Sequence, residues 1–278
     1  MNYEDTPYNQ VSFKASHNSY ESSFDIHQLL SADFKEVSNF WCRGIELDFT
    51  RHTDGSDGSS ASYFQVTHKQ GGDGPSLASY LGYLLSWHLN NPGHDPVFVT
   101  LCIKSKDGDF TLFPSEMDTY IANWLTREFL FKPSDLMKGG LTLLESVQQF
   151  GWPTVRTLSG KMILCLSGTE DWKAHYASSD SDRLCFADVD VSDDNADPVV
   201  PADGTRIVAN INVHSNTWPK WKTAVDVLRR AGFLTRGYVV NSDELWKKAR
   251  TANLNAIATD EVKGSGWAVT GPPFVVLA

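Results

Sequence analysis

The stretch Pro-Val-Phe-Val-Thr-Leu-Cys-Ile-Lys, residues Pro96–Lys104, is the part of the sequence that says most about the fold. It is almost continuously apolar and rich in β-branched residues, which is typical of a strand covered on both faces. Similar runs recur along the whole chain and alternate with amphipathic stretches, the pattern of βα units around a parallel sheet. The eight predicted strands are Val11–Ala15, Gly44–Phe49, Pro96–Lys104, Lys161–Leu166, Leu184–Val191, Arg206–Val213, Gly237–Asn241 and Ala256–Thr259.

Helices are predicted between these strands wherever apolar residues recur at three- and four-residue intervals. They are Phe24–Val37, Ser76–Asn90, Pro114–Phe129, Leu141–Phe150, Thr217–Ala231 and Ser242–Ala252. The polar segments His52–Ser62 and Ser192–Gly204 are predicted loops. Eight strands with intervening helices indicate an α/β protein, a single (β/α)8 TIM-like barrel, irregular where two crossovers look short. Because no shift in composition marks a boundary, we predict one domain over residues 1–278.

The composition and the charge exclude several classes of protein. Apolar residues make up 41% of the chain and charged residues 21%, which is enough to build a large core and excludes a disordered or fibrous chain. The formal net charge is −10, from 24 basic and 34 acidic residues, and it opposes long-range attraction to nucleic acid. The four widely spaced cysteines form no CxxC pair and lie mostly in apolar runs, so we predict buried free thiols.

The compartment is left open by the sequence. No stretch approaches the roughly 20 apolar residues needed to cross a bilayer. The segment Met1–Gln10 lacks the basic and apolar blocks of a secretory signal. We therefore expect a soluble protein, either cytoplasmic or secreted with a signal already removed, and we expect a monomer.

Polar residues follow several of the predicted strands at the point where each strand ends. His17 and Asn18 follow the first strand, and His68 follows the chain's return from the second. Lys104 ends the third strand and Asp260 follows the last. Because the active site of a parallel barrel lies at the C-terminal ends of its strands, these residues are candidates for a common site.

The second predicted strand carries two carboxylates, Glu46 and Asp48. They are two residues apart, so they point to the same face, and the apolar residues between them assign that face to the barrel interior. Two carboxylates inside a barrel need a cation, and with the amide oxygen of Asn18 they suit a hard divalent ion such as calcium or magnesium. The alternative is an internal ion pair with a basic residue, Arg43, Arg51 or Lys104.

His17 and His68 would reach the same rim of the barrel. Histidine is able to act as a base and as an acid near neutral pH, and displacement at phosphorus requires both. A single histidine is more often structural than catalytic. Two histidines beside a pair of carboxylates favour catalysis.

These residues resemble the X-region signature of the phosphatidylinositol-specific phospholipases C. The specific segments are Ala15–Tyr20, Cys42–Asp48 and Thr67–His68. The similarity continues weakly to the C-terminus, through Leu158–Lys161 and Ala256–Asp260. The chain is most similar to the calcium-dependent bacterial type of this family.

Two related groups are less similar to the chain. Glycerophosphodiester phosphodiesterases usually carry His-Arg after the first strand, where this chain has His17 and Asn18. Metal-independent bacterial phospholipases C place an arginine where this chain has Asp48, so Asp48 favours the metal-dependent type.

The resemblance implies a phosphoric diester hydrolase or lyase that cleaves phosphatidylinositol. The inositol 2-hydroxyl attacks phosphorus, giving a cyclic inositol phosphate and releasing diacylglycerol. His68 is implied as the general acid, and His17 as the base or as a donor to the phosphoryl oxygens, with Glu46 as the rival base. The implied ligands of Ca²⁺, with Mg²⁺ as the alternative, are Asn18, Glu46, Asp48 and Asp260. Asp260 has a second possible role, which is to orient His17.

One position departs from the family's pattern. The calcium-dependent relatives usually place a glutamate ligand on the third strand, where this chain has Cys102. A thiol is a poor ligand for calcium, so a full shell would need Asp260 or water. Lys104 lies on the same face as Cys102 and is expected to contact a phosphate or to neutralise a carboxylate.

The implied partner is a phospholipid or an inositol phosphodiester. The expected substrate-binding residues are Lys104, Arg51, Lys69, Asp190, Asn212 and His214. Peripheral membrane contact through Trp172, Trp218 and Trp221 is one interpretation of these indoles, and helix packing is the other. Two further functions stay open: a non-catalytic barrel that binds an inositol or sugar phosphate, and the same chemistry on a glycerophosphodiester or a sphingolipid.

Overall fold

The computed structural model describes residues 2–22, 25–30, 41–54, 61–106, 108–179, 182–191, 200, 203–262, 267–268 and 273–278. The strands within this part are β1 (Val11–Ser16), β2 (Gly44–Asp54), β3 (Ala61–Val66), β4 (Val97–Ile103), β5 (Met162–Gly168), β6 (Phe186–Val191), β7 (Val208–Asn212), β8 (Leu234–Tyr238), β9 (Ala256–Thr259) and β10 (Val275–Val276). The α-helices are α1 (Ile26–Leu30), α2 (Leu77–Asn90), α3 (Phe113–Ala122), α4 (Pro133–Leu136), α5 (Leu143–Phe150), α6 (Glu170–Ser179), α7 (Trp218–Arg230) and α8 (Asp243–Thr251).

Eight of these strands close into a parallel barrel in the order β1, β2, β4, β5, β6, β7, β8, β9. The barrel closes where β1 pairs with β2 through Ala15 and Gly44. Gly44 permits this contact because a Cβ there would lie only 2.6 Å from the Cβ of Ala15. The predicted (β/α)8 TIM-like barrel is confirmed.

Alternate residues of the strands face the barrel interior and the surrounding helices. On β4, Phe98 packs into the interior core. Its neighbours Val97 and Val99 pack against the helices. Because both faces of each strand are covered, the sequence of a strand reads as a nearly continuous apolar run. This is why the strands could be recognised from the sequence.

The predicted loop His52–Ser62 is wrong at both of its ends. β2 continues to Asp54 and β3 begins at Ala61, and the two strands form an antiparallel hairpin in which His52 pairs with Tyr63. This part of the hairpin extends past the strands that pair with β2 in the barrel. Its residues are therefore polar although they form strands. Residues 55–60, and residues 192–199 and 201–202 of the second predicted loop, lie outside the described residues.

Other boundaries also differ from the prediction. The predicted strand Gly237–Asn241 is β8, which runs from Leu234 to Tyr238, because Val239 leaves the extended conformation with φ of 64°. The helix predicted to reach Phe129 ends at Ala122. Helix α6 was not predicted, because its apolar residues lack a clear helical period. Of the first predicted helix, residues 24 and 31–37 lie outside the described part.

The predicted buried thiols are confirmed, since all four cysteines are free and buried. Trp172 and Trp221 are 2% and 3% exposed, so their indoles pack in the protein core and are not available to a membrane. Trp218 packs edge-on against Trp221 at a ring-centroid distance of 4.6 Å. Among the described residues, no helix combines the length and the apolar character that crossing a bilayer requires.

Candidate active site

The interior face of the barrel strands changes from apolar to polar toward their C-terminal ends. On β4, Phe98 is followed on the same face by Thr100 and Cys102, and then by Lys104 just past the strand. The corresponding polar residues of the other strands are Glu46 and Asp48, Ser167, Asp188 and Asp190, Asn210 and Asn212, and Arg236. Apolar side chains therefore fill the N-terminal half of the barrel, and the polar residues face its C-terminal opening.

His17 leaves the end of β1 and pairs with Asp260, which follows β9. Its backbone N–H donates to the carbonyl of Thr259 at 3.0 Å, and its Nδ1 lies 2.8 Å from Asp260 Oδ1. The hydrogen bond from His17 lowers the pKa of Asp260, although partial burial opposes this. The Asn241 side-chain amide donates to the other oxygen of Asp260 at 2.5 Å. With Nδ1 so engaged, the Nε2 of His17 is the nitrogen left for chemistry.

His68 forms a second histidine–carboxylate pair, with Asp48. The His68 Nδ1 lies 2.7 Å from Asp48 Oδ2, and the two side chains are 60% and 1% exposed. The same oxygen also accepts from Tyr20 Oη at 3.0 Å and lies 3.0 Å from Lys104 Nζ. Asp48 Oδ1 is buried and has no hydrogen-bond partner among the described residues. A buried carboxylate thus holds an exposed imidazole at the edge of the site.

Glu46 is part of a polar network that crosses the barrel interior. Its Oε2 accepts from Arg236 at 2.7 Å, and the other Arg236 amino group donates to Asn210 Oδ1 at 2.6 Å. Asn210 in turn donates to Ser167 Oγ at 3.0 Å. Because both Glu46 and Arg236 are almost fully buried, each offsets the desolvation cost of the other.

Asn18 has a left-handed backbone conformation, with φ of 45° and ψ of 54°. This turn directs its backbone N–H to Glu46 Oε2 at 3.2 Å. The His17 Nε2 lies 3.7 Å from the same oxygen. The structure therefore brings the predicted residues Asn18, Glu46 and His17 together through the backbone N–H of Asn18, while the ligand role of its amide oxygen stays a prediction.

One group of described residues could hold a metal ion: Glu46, Asp48 and Cys102 each offer an atom within 4.8 Å of the others. Asp260, a predicted ligand, is not in this group and binds His17 and Asn241 instead. Burial, helped by the nearby Asp48 carboxylate, raises the pKa of the Cys102 thiol well above its usual range.

A calcium ion in a protein binds about six to eight oxygen ligands. The group Glu46, Asp48 and Cys102 offers three donor residues. One of the three donors is a sulfur atom. The two carboxylates already have basic partners, Lys104 at 3.0 Å from Asp48 and Arg236 at 2.7 Å from Glu46. As they stand, the residues do not fit a calcium ion.

A cleft of about 640 Å³ opens beside His68. It is lined by His68, Gln70, Ile103, Lys104, Lys106, Gly168 and Thr169. The lining of the cleft therefore includes two lysines and a histidine in a chain that is acidic overall, which suits capture of an anion by short-range contacts.

The remaining predicted substrate residues have different surroundings. Arg51 forms a two-pronged ion pair with Glu116, with both N–O distances 2.8 Å. Asp190 accepts from Lys173 at 2.6 Å. Asn212 Oδ1 is buried and has no partner within the part of the chain that the structure describes. Lys69 is exposed and His214 is half-buried at the end of β7.

Sequence reasoning missed Tyr20 and Arg236 as members of the site. Tyr20 ends the signature segment Ala15–Tyr20, but no local pattern indicated a role for its hydroxyl. The fold brings that hydroxyl to Asp48. Arg236 was missed because the strand was predicted to begin at Gly237. A strand that includes Leu234, Arg236 and Tyr238 would have placed the guanidinium on the interior face.

Comparisons with known proteins identify the family and the fold of the chain. Residues 65–266 match the family model described as phosphoinositide phospholipase C, Ca²⁺-dependent. No curated protein sequence matches the chain.

Several solved structures share the fold. A calcium-dependent phosphoinositol-specific phospholipase C from Pseudomonas sp., in a complex with myoinositol, is 20% identical with a TM-score of 0.75, covering 99% of this chain and 96% of its own. A Ca²⁺-dependent phosphatidylinositol-specific phospholipase C from Streptomyces antibioticus is 18% identical with a TM-score of 0.68, covering 92% and 95%. A glycerophosphodiester phosphodiesterase from Parabacteroides distasonis is 13% identical with a TM-score of 0.50, covering 90% and 92%.

Proposed function

The chain belongs to the family of Ca²⁺-dependent phosphoinositide phospholipases C, a family of phosphodiesterases, and on this premise we propose that it cleaves phosphatidylinositol through a cyclic inositol phosphate. The observation that carries the proposal is the pair of histidine–carboxylate contacts, His17 with Asp260 and His68 with Asp48, at one end of the barrel. One histidine serves as the base and the other as the acid, as transfer of a phosphoryl group between two hydroxyl oxygens requires.

His17 is the proposed base. Asp260 accepts from its Nδ1, so the neutral imidazole presents the lone pair of Nε2 to the inositol 2-hydroxyl. The rival base, Glu46, already accepts from Arg236 and from the backbone of Asn18. Because the Arg236 guanidinium and the Asn18 N–H already occupy Oε2, Glu46 is less available to take the hydroxyl proton, which favours His17.

His68 is the proposed acid. Asp48 lies 2.7 Å from its Nδ1 and orients the ring, and the side chain is 60% exposed, so Nε2 is the nitrogen placed to donate to the departing oxygen. In the reaction the 2-hydroxyl oxygen bonds to phosphorus as the bond from phosphorus to the glycerol oxygen breaks. His17 takes the hydroxyl proton and His68 gives a proton to the glycerol oxygen, so the products are cyclic inositol phosphate and diacylglycerol.

The phosphate is proposed to bind in the cleft lined by Lys104 and Lys106. Their positive charge would stabilise the negative charge that grows on the phosphoryl oxygens in the transition state. For the inositol ring, Asn212 is a candidate hydrogen-bond acceptor for a hydroxyl, because its Oδ1 has no partner among the described residues. The myoinositol complex of the Pseudomonas relative supports a ring-binding site in this fold.

Calcium enters none of these steps. The names of the relatives support the prediction that the chain uses it. The donor set of Glu46, Asp48 and Cys102 does not fit a calcium ion, however, so the proton transfers are assigned to the two histidines alone.

The test is phosphorus NMR of phosphatidylinositol in mixed micelles with the purified protein. We expect a resonance of cyclic inositol phosphate that is absent with a His17→Ala, His68→Ala double variant. Unchanged substrate would contradict the proposal. Glycerophosphoinositol and sphingomyelin, tested in parallel, would then separate a different substrate from a barrel that only binds inositol phosphates.

A further inference from the structure

Each of the two carboxylates beneath the catalytic histidines has its own basic partner. Lys104 Nζ lies 3.0 Å from Asp48 Oδ2, and Arg236 lies 2.7 Å from Glu46 Oε2. The Lys104 side chain is 25% exposed and Arg236 is 2% exposed, so these are pairs inside the barrel with limited access to water. The electrostatic interaction of such pairs is stronger than at the surface.

The charges of Glu46 and Asp48 are matched by Arg236 and Lys104 without a metal. Two carboxylates face one ammonium group and one guanidinium group. A divalent cation added among them would place two more positive charges beside basic groups that already match these carboxylates, which is costly in a buried site. Lys104 and Arg236 already occupy Asp48 Oδ2 and Glu46 Oε2, so calcium would have to compete with them or use the other carboxylate oxygens, of which Asp48 Oδ1 has no partner among the described residues.

Because Cys102 is an uncharged thiol, it adds no negative charge to those of Glu46 and Asp48. It pairs with Asp48 in the register between β2 and β4, on the same interior face. Its sulfur lies within 4.8 Å of the ligand atoms of Glu46 and Asp48. A carboxylate at this position would add one negative charge and two oxygen atoms, which are what a calcium site there lacks.

We propose that this chain does not depend on calcium, and that the Lys104 ammonium group supplies the positive charge beside Asp48 and the substrate phosphate. Lys104 reaches the carboxylate and also lines the cleft proposed for the phosphate. It is thus in a position to contact a phosphoryl oxygen and to orient Asp48. The catalytic part of this inference rests on the proposed function, whereas the binding part does not.

The binding part is tested by isothermal titration of calcium into the protein without substrate. The variants are Cys102→Asp and Cys102→Glu, with Cys102→Ser as the uncharged control, each checked for folding by circular dichroism. We expect no binding by the natural chain or the serine variant, and binding by a carboxylate variant. A dissociation constant of about 10⁻³ M or tighter for the natural chain, the weak end of protein calcium sites, would overturn the proposal. Failure of both folded carboxylate variants to bind would overturn the role of Cys102.

The catalytic part is tested with phosphatidylinositol in the presence of a chelator and then with added calcium. We expect the same rate in both conditions, and a loss of about 10²-fold for Lys104→Met with partial recovery in Lys104→Arg. A rate that appears only with calcium, or a Lys104→Met variant as active as the natural chain, would overturn the proposal. Absence of cleavage in every condition would instead contradict the proposed function and leave the titration result standing.

Discussion

Arg236 and Glu46 are 190 residues apart in the chain, and the guanidinium of Arg236 lies 2.7 Å from Glu46 Oε2 inside the barrel. The two residues belong to β8 and β2, which are not neighbours in the barrel. Their contact therefore crosses the interior and depends on closure of the barrel. It also holds Glu46 in place beneath His17, whose Nε2 lies 3.7 Å away.

Removing Arg236 should destabilise the whole barrel. Arg236→Met keeps much of the side-chain volume but leaves Glu46 buried without its cation, and such a loss typically costs about 3–5 kcal/mol. Urea denaturation followed by circular dichroism measures the free energy of unfolding. The double variant Glu46→Gln, Arg236→Met removes both charges and should recover a large part of the loss. A single variant as stable as the natural chain would show that the pair does not hold the barrel.

Replacing His68 should have an effect that depends on the leaving group. For phosphatidylinositol, His68→Ala should lower kcat/KM by about 10²–10⁴-fold, as is typical of losing a general acid. For a nitrophenyl inositol phosphate, whose leaving group needs no proton, the loss should be much smaller. His17→Ala should lower both rates alike, because the attacking hydroxyl is the same. Equal losses for both substrates in His68→Ala would remove His68 from the acid's role.

Changing Asp260 to Asn should reduce catalysis through His17 without unfolding the protein. The amide would allow the other tautomer of His17, in which Nε2 carries the proton and is unable to accept one. We expect kcat to fall by at least about tenfold. The upper limit is about 10⁴-fold, which is the loss in serine proteases when the orienting aspartate is replaced by asparagine. Because Asn241→Ala removes the neighbouring hydrogen bond but keeps the carboxylate, it is the matched control. A kcat equal to that of the natural chain would contradict the orienting role.

The protein should lose stability in mild acid through His94. His88 Nδ1 donates to His94 Nε2 at 2.9 Å, and His94 Nδ1 donates to the carbonyl of Asp95 at 2.6 Å, so Nε2 must stay unprotonated. Burial lowers the pKa of His94 from 6.5 to about 4. Between these values the unfolded chain binds a proton that the folded chain does not. The free energy of unfolding should therefore fall as the pH drops from 7, by up to about 3 kcal/mol at pH 4.

Urea denaturation at pH 7 and at pH 5 checks this expectation. His94→Gln keeps an acceptor for His88 but has no titrating group, so its stability should depend less on pH than that of the natural chain. The same pH dependence in both proteins would assign the acid sensitivity to other residues.

Much of the fold could be predicted from the sequence, because the signals for strands and helices are local. The near-continuous apolar run of β4 follows from burial on both faces, and the spacing of Glu46 and Asp48 placed both carboxylates in the interior. The segment Ala15–Tyr20 identified the turn that carries His17. These inferences needed only the two-residue period of a strand and the rule that barrel sites lie at the strand ends.

The partners of the site residues could not be predicted in the same way. Which side chain meets Glu46 depends on the order of the strands and on how the barrel closes, and nothing near residue 46 in the chain encodes Arg236. The sequence left open whether the two carboxylates hold a metal ion or an internal ion pair. The fold places Lys104, which follows the neighbouring strand, on Asp48, and Arg236 on Glu46, because closure of the barrel joins residues that are far apart in the chain.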